Sequence, residues 1–252
     1  MSSFEISLVA LLCLVLGFIL GMWLQYLLPE HHLSKESQDT VKLGAGMVAT
    51  MSALILGLLV SSAKSSFDAV NVSIAQNGAR VIQLDHLLAE YGPETRPFRD
   101  QLKASVLERV QKIWGKPAGD SALHAVEKSR AMLELQTALQ RLTPQTEREK
   151  SLLNQCLQVS TDIWQSRLLI IEEQQEPVPP VFLVLLLFWL TLLFVSFGLF
   201  APRNVTVFAV LLVCAVSVAS AVFLILEMSH PLDGLMKVSS APLLKALELI
   251  GH

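Results

Sequence analysis

The sequence predicts an all-α membrane protein, in which four transmembrane helices carry a helical-bundle domain inserted between the second and third spans. Apolar residues make up 52% of the 252 residues and charged residues only 16%, a more apolar and less charged composition than soluble proteins have. Four uncharged segments have the length of about 20 residues that a helix needs to cross the hydrocarbon core. The remaining segments show helical periodicity and no strand alternation, so they are expected to be helical as well.

The spans are expected at residues 6–28, 43–62, 181–200 and 205–226. Trp23 and Tyr26 suit the membrane interface at the end of the first span, and Arg203 with Asn204 forms the turn between the last two. The N-terminus has no basic residue before its apolar run, which indicates a retained span rather than a signal peptide. The domain boundaries that follow are 1–63 for two spans, 64–177 for the bundle, 178–229 for two spans and 230–252 for an amphipathic tail.

The distribution of basic residues predicts the orientation in the membrane. Four crossings place both termini and the bundle on the same side. Basic residues near the membrane are more numerous on that side than on the other: Lys64, Arg80, Arg167, Lys237 and Lys245 against Lys35, Lys42 and Arg203. The positive-inside rule therefore favours a cytoplasmic bundle and cytoplasmic termini.

A heptad seam follows the second span directly. Its apolar positions alternate in spacing between three and four residues, with Asn77 in one slot: Phe67, Val70, Ile74, Val81, Leu84, Leu88 and Tyr91. No Gly or Pro interrupts residues 62–67, so the span is expected to continue into this helix until Gly92 and Pro93 end it. Asn77 is interpreted as a locally satisfied core residue or, alternatively, as a register device between subunits.

Three further helices complete the predicted bundle. They are expected at residues 96–114, at residues 120–142, and from Thr143 as N-cap and Pro144 as first helical residue to the prolines before the third span. Short connections between helices favour an antiparallel bundle. Residues 242–250 form a short amphipathic helix that is expected on the membrane surface or against the bundle.

Small residues recur in the first two spans. Gly17 and Gly21 form a GxxxG pair, which suits close helix packing within the subunit or dimerisation. The second span carries a continuous stripe of small and weakly polar residues that leads on to Lys64 and Asp68: Gly46, Thr50, Ala53, Gly57 and Ser61. Tight helix packing is the favoured interpretation of this stripe, and a pore lining is the alternative.

Charged residues are almost absent from the spans. Glu227 alone comes near the end of one, and it is expected to face water at the interface or, alternatively, to attract a cation or anchor the helix. Proton-coupled transporters usually carry acidic or basic groups within the membrane, and the sequence also lacks their inverted repeats. A transporter is therefore disfavoured.

Several other classes of function find no support. The three cysteines have no CxxC spacing, and the adjacent His31 and His32 are best explained as solvated loop residues, so no metal site is predicted. No nucleophile elbow, Walker loop or dinucleotide turn occurs, which argues against an enzyme and against a bound cofactor. The net charge of −3 and the lack of a basic run argue against a nucleic-acid partner.

Four stretches of the sequence resemble the bacterial bestrophin-like domain family. They are residues 53–60 (ALILGLLV) with 65–68 (SSFD), 76–80 (QNGAR), 91–93 (YGP), and 227–235 (EMSHPLDGL) with 238–239. Family members often have a basic residue and Pro-Phe where this chain has His230, Pro231 and Leu232. The resemblance implies a bacterial inner membrane protein comparable to bestrophins, which are oligomeric anion channels with four spans and a cytosolic helical domain. The chain lacks an aromatic neck motif and an acidic calcium clasp, so the resemblance implies neither ion selectivity nor calcium gating.

Two hypotheses for the function follow. The first is a homo-oligomeric ion channel, a tetramer or pentamer in membrane lipid, in which the second span lines the path of an inorganic ion. The second is a non-conducting scaffold or signalling protein whose bundle binds a cytosolic partner. The subunit number separates them, because a monomer or simple dimer has no axis along which ions can pass.

Overall fold

The computed structural model describes residues 2–29, 34–115, 136–175, 180–202, 204–232 and 234–251. Its helices are α1 (Ser3–Leu27), α2 (Lys35–Tyr91), α3 (Arg96–Trp114), α4 (Glu147–Gln175), α5 (Pro180–Phe200), α6 (Val205–Met228) and α7 (Ala241–Leu249). These described ranges contain no strand. The predicted all-α fold class is confirmed.

Four of these helices are long and apolar enough to cross a membrane, namely α1, α2, α5 and α6. This confirms the four predicted spans. At about 1.5 Å per residue, the 57 residues of α2 are far longer than a bilayer core of about 30 Å. The second span therefore does continue into the heptad helix, and it ends at Gly92, whose φ of 150° is a conformation that side chains other than glycine rarely adopt.

The chain divides into two compact units. The membrane unit comprises Met1–Ser65 and Pro177–Ser229, and the bundle unit comprises Ser66–Glu176 and His230–His252. The sequence segment that follows the fourth span thus belongs to the same unit as the helices that lie between the second and third spans.

The core of the membrane unit forms where α1 packs against α5 and α6. Leu14, Phe18, Phe194 and Ala215 are buried together there. Close approach depends on glycine: a Cβ on Gly21 would overlap the backbone carbonyl of Val195 and lie 3.0 Å from the Cα of Gly198. Backbones approach this closely in membranes where small residues remove the steric barrier.

The core of the bundle unit draws on α2, α3, α4 and the C-terminal segment. The predicted heptad seam packs there. Leu84, Leu102 and Ile163 are among the side chains of this core that have no exposure to solvent. Leu243, Ala246 and Ile250 are buried in the same core, so the tail helix packs against the bundle. A Cβ on Gly78 would come within 2.9 Å of the carbonyl oxygen of Pro242, which shows how closely α2 and the tail approach.

Polar contacts fix the tail to α2 and α3. Trp114 Nε1 donates to the carbonyl of Val238 at 2.8 Å, and Lys103 Nζ donates to the carbonyl of Ile250 at 3.0 Å. Asp85 of α2, which Arg99 of α3 holds in a bidentate pair with both bonds 2.8 Å, accepts from the backbone N–H of Gly251 at 3.3 Å. The tail residues are far in sequence from these partners, so the contacts join segments whose packing the sequence does not reveal.

One predicted helix start is wrong, and one predicted helix lies largely outside the described residues. The helix expected to begin at Thr143 and Pro144 begins instead at Glu147, because Thr146 Oγ1 accepts from the backbone N–H of Glu149 at 3.1 Å. Glu149 Oε2 in turn accepts from the N–H of Thr146 at 3.4 Å, which completes a capping box. Of the helix expected at 120–142, only residues 136–142 are described, with helix at 136–139.

Candidate functional site

The span of α2 is the most open of the four. Only 11% of its most hydrophobic window is buried, against 33% for α1, 28% for α5 and 22% for α6. The face it turns to its own chain carries Ser52, Leu59 and Ala63, which are buried and spaced seven and four residues apart. Residues beside this face, such as Ala49, Leu56 and Val60, are half-buried, and the remaining side of the helix is exposed.

The predicted stripe lies on the uncovered side. Its five members are all exposed: Gly46, Thr50, Ala53, Gly57 and Ser61. A Cβ added at Gly46 or Gly57 would have no described neighbour within 4 Å. Packing within the chain therefore does not explain the stripe, and its neighbours must be lipid, other copies of the chain or water.

The stripe is weakly polar, and the hydroxyl of Thr50 is hydrogen-bonded within it. Thr50 Oγ1 donates to the carbonyl of Gly46, one turn earlier, at 2.8 Å. This back-bonding is common for Ser and Thr in membrane helices. It pairs the hydroxyl proton of Thr50 and leaves the lone pairs of its oxygen at the surface of the helix. Such a surface tolerates lipid or water and can contact an ion without binding it tightly.

Large apolar side chains lie beside the stripe on the same open half of the helix. Leu43, Met47, Leu54 and Leu58 are all exposed. At about 3.6 residues per turn, they occupy a sector next to the small residues, and Leu43 and Leu54 lie nearly opposite Ser52. The open half of α2 thus has two adjacent surfaces, one small and weakly polar and one bulky and apolar.

The charged candidates differ in their burial. Lys64 and Asp68 are exposed on α2 beyond the stripe, and each has an interaction partner. Glu227, in the last turn of α6, is only 3% exposed and also has a partner. It is therefore buried, which differs from the expectation that it faces water.

The packing candidates lie in two different places. Gly17 and Gly21 contact α5, where a Cβ on Gly17 would be 3.0 Å from Thr191 Cγ2. Asn77 is 2% exposed inside the bundle unit, and its Oδ1 has no hydrogen-bond partner among the described residues. The expectation of a locally satisfied Asn77 therefore does not hold for its oxygen atom.

Sequence reasoning missed two features. Five residues of α2 line an apolar cleft of about 520 Å³ together with residues of α5 and α6: Val41, Lys42, Ala45, Gly46 and Ala49. In the bundle unit, Arg109 and Arg167 are almost fully buried. Arg109 follows the buried position Val106 by three residues, so helical spacing could have revealed its burial, whereas the sequence offers no comparable signal for the cleft.

Metal or thiol chemistry finds no support in the described part of the chain. It holds no group of three or more His, Cys, Asp or Glu side chains that could bind a metal ion. Burial raises the pKa of Cys156 to about 11, so this thiol stays protonated and unreactive at neutral pH. His31 and His32 lie outside the described residues.

The fold and the open second span define a four-span helical membrane protein with an inserted helical bundle. The family model for the Bestrophin-like domain matches residues 12–243. The chain therefore belongs to the bestrophin-like family.

A solved structure has the same fold. It is the crystal structure of a bacterial bestrophin homologue from Klebsiella pneumoniae, carrying a tryptophan-to-alanine mutation, with a TM-score of 0.67 and 16% sequence identity. The alignment covers 99% of this chain and 97% of that one. At this identity the likeness establishes the fold alone. No curated protein matches the sequence.

Proposed function

We propose that the protein is a homo-oligomeric ion channel in which the stripe of α2 lines the pore. The observation that carries the proposal is the exposed stripe of small, weakly polar residues. Only its first member, Gly46, borders other described helices, at the rim of the cleft with α5 and α6. Membership of the bestrophin-like family and the shared fold support it.

A ring of copies accounts for both open surfaces of α2. One chain supplies a single α2 and cannot enclose an axis. In a tetramer or pentamer, the small stripe faces the axis and the bulky sector with Met47, Leu54 and Leu58 packs on the neighbouring subunit. Small side chains at the axis leave room for an ion, and Thr50 and Ser61 supply hydroxyl oxygen atoms.

The charged pair beyond the stripe fits the same arrangement. Lys64 and Asp68 continue the stripe along α2, so a ring of copies would carry a level of basic groups at the end of the pore and, about one helical turn further along, a level of acidic groups. We place this end on the cytoplasmic side of the bacterial inner membrane, because the positive-inside bias favours a cytoplasmic bundle. The permeant ion is inorganic, and the protein is not an enzyme.

The first test is the subunit number of the full chain in detergent or nanodiscs, measured by native mass spectrometry. We expect a closed ring of four or five copies. A monomer or a dimer would contradict the channel and favour a scaffold whose bundle binds a cytosolic partner.

The second test is ion flux through purified protein in liposomes. Replacing Gly57 by Leu places a large side chain on the stripe, and we expect flux to fall at least about tenfold because the constriction loses its space and its wettable surface. Gly44→Leu is the matched control, since Gly44 is also exposed with nothing within 4 Å of a Cβ but lies off the stripe. Equal flux in the two variants would refute the assignment of the pore face.

A further inference from the structure

The bundle unit contains a small internal cavity. Its volume is about 30 Å³, and every segment of the bundle core contributes to its wall: Ile74 and Asn77 from α2, Arg109, Ile113 and Trp114 from α3, Arg167 from α4, and Leu232 and Leu243 from the C-terminal segment. A water molecule occupies about 10–15 Å³ by this measure. The cavity therefore has room for one small ion or two waters.

Two arginines line this cavity without counter-charge. Arg167 is 2% exposed and Arg109 is 8% exposed. All three guanidinium nitrogens of Arg167, and Nη2 of Arg109, are buried without a hydrogen-bond partner among the described residues. None of the described residues in the cavity wall is acidic.

Other arginines of the same bundle show what a satisfied guanidinium looks like here. Arg99 pairs with Asp85 at 2.8 Å through two nitrogens. Arg80 donates to the carbonyl of Asp162 at 3.3 Å and to the hydroxyl of Ser166. The unsatisfied state of Arg109 and Arg167 is therefore particular to the cavity rather than general to the bundle.

Burial leaves the charge on Arg167 in place. Desolvation lowers the pKa of its guanidinium to about 10, which still leaves it protonated at neutral pH. A buried cation without an anion or hydrogen-bond acceptor is strongly destabilising, and a second cation in the same wall adds repulsion. Water can accept hydrogen bonds from these groups but cannot neutralise them.

We propose that this cavity binds one small monovalent inorganic anion, of the size of chloride, between the guanidinium groups of Arg167 and Arg109. The volume admits a single-atom anion and is too small for sulfate or phosphate unless the wall moves. Asn77 can contribute an N–H, because its amide oxygen and nitrogen occupy interchangeable positions. The anion joins α2, α3, α4 and the tail around one charge, so it stabilises the bundle whether or not the protein conducts ions.

The test is the thermal stability of the purified full chain in detergent, with chloride replaced by gluconate at constant ionic strength. A ligand that binds only the folded state raises Tm with its concentration. We expect Tm to rise by roughly 3–5 °C for each tenfold increase in chloride above the dissociation constant. Bromide should act like chloride, and sulfate at equal ionic strength should not.

Variants assign the effect to the cavity. We expect Arg167→Gln to lose the dependence on chloride, and Arg109→Gln to weaken it by at least about tenfold in apparent affinity. Arg99→Gln is the matched control, because it removes a bundle arginine whose partner is Asp85, and it should keep the dependence. If Arg167→Gln does not fold, the chloride titration of Arg109→Gln and the Tm of the wild type in chloride and in gluconate still test the proposal.

Three outcomes would overturn the proposal. Identical Tm values of the wild type in chloride and gluconate would show that water alone fills the cavity. Equal stabilisation by chloride and sulfate would indicate a general salt effect on burial. An unchanged chloride response in both cavity variants would place the anion elsewhere.

Discussion

The glycines of α1 and those of α2 differ in what surrounds them. Gly17 and Gly21 lie against α5, and neither has room for a side chain without movement of Thr191 or of the backbone at Val195. Gly44, Gly46 and Gly57 lie in a helix of comparable hydropathy and have no described neighbour within 4 Å of a Cβ. The same residue type therefore closes a contact within the chain in one span and leaves a surface open in the other.

The two spans differ in whether their small residues are covered by the same chain. The glycines of the first span are covered inside the subunit, by residues of α5. The second span has no such completion, and small residues that face no neighbour have no packing role in the isolated chain. Small residues on an exposed face have a physical role where another subunit packs closely against them or where they line a pore.

The largest expected effect is that of Gly21→Leu. The new side chain would overlap the Val195 carbonyl and the Gly198 backbone, so α1 and α5 would have to separate. We expect a loss of roughly 3 kcal/mol or more in the free energy of unfolding, measured as a lowered Tm or as loss of monodisperse protein in detergent. A Gly21→Leu variant with the Tm of the wild type would show that Gly21 is not enclosed, and the difference between the glycines of α1 and α2 would no longer hold.

A moderate effect is expected for Gly17→Ala. A Cβ here would be 3.0 Å from Thr191 Cγ2 and 3.1 Å from its carbonyl oxygen, tighter than ordinary van der Waals contact. Small shifts can relieve this, so the expected cost is about 1 kcal/mol. The measurement is again the thermal stability of the full chain, and any gain in stability would show that α1 and α5 have more space than the structure indicates.

The smallest expected effect, of opposite sign, is that of Gly57→Ala, the matched partner of Gly17→Ala. Alanine has a higher helix propensity than glycine by about 0.5–1 kcal/mol, and the added methyl group meets no described atom. We expect Tm to stay equal or rise slightly. A clear fall in the Tm of the intact oligomer would instead place Gly57 in a tight contact between subunits, so that the glycines of α2 would close a contact between chains where those of α1 close one within the chain.

Some errors of the sequence analysis have local explanations. The pattern Thr146-x-x-Glu149 is a capping-box signature, and it outweighs Thr143 with Pro144 because it satisfies two backbone N–H groups at once. This signal was present in the sequence. The burial of Arg167 had the same helical signal as that of Arg109, because it follows the buried Ile163 by four residues within α4. The burial of Glu227 had no comparable signal, because side-chain burial at a helix end depends on what packs beside it.

The sequence by itself determined the four spans, the continuous α2 and its end at Gly92. These features follow from hydropathy, helical periodicity and the backbone freedom of glycine, which are properties of neighbouring residues. The resemblance to the bestrophin-like family was also evident from short stretches of sequence. Helix existence and type depend little on distant partners, so local information suffices for them.

Only the tertiary structure decided which faces and charges are left without partners. It showed that Gly21 is enclosed and Gly57 open, that the tail helix completes the bundle core through Leu243, and that Arg109 and Arg167 share one cavity. The physical reason is that an apolar helix presents similar residues on every side. Which side is covered depends on the packing of segments that are far apart in the sequence, and this packing is a property of the whole fold.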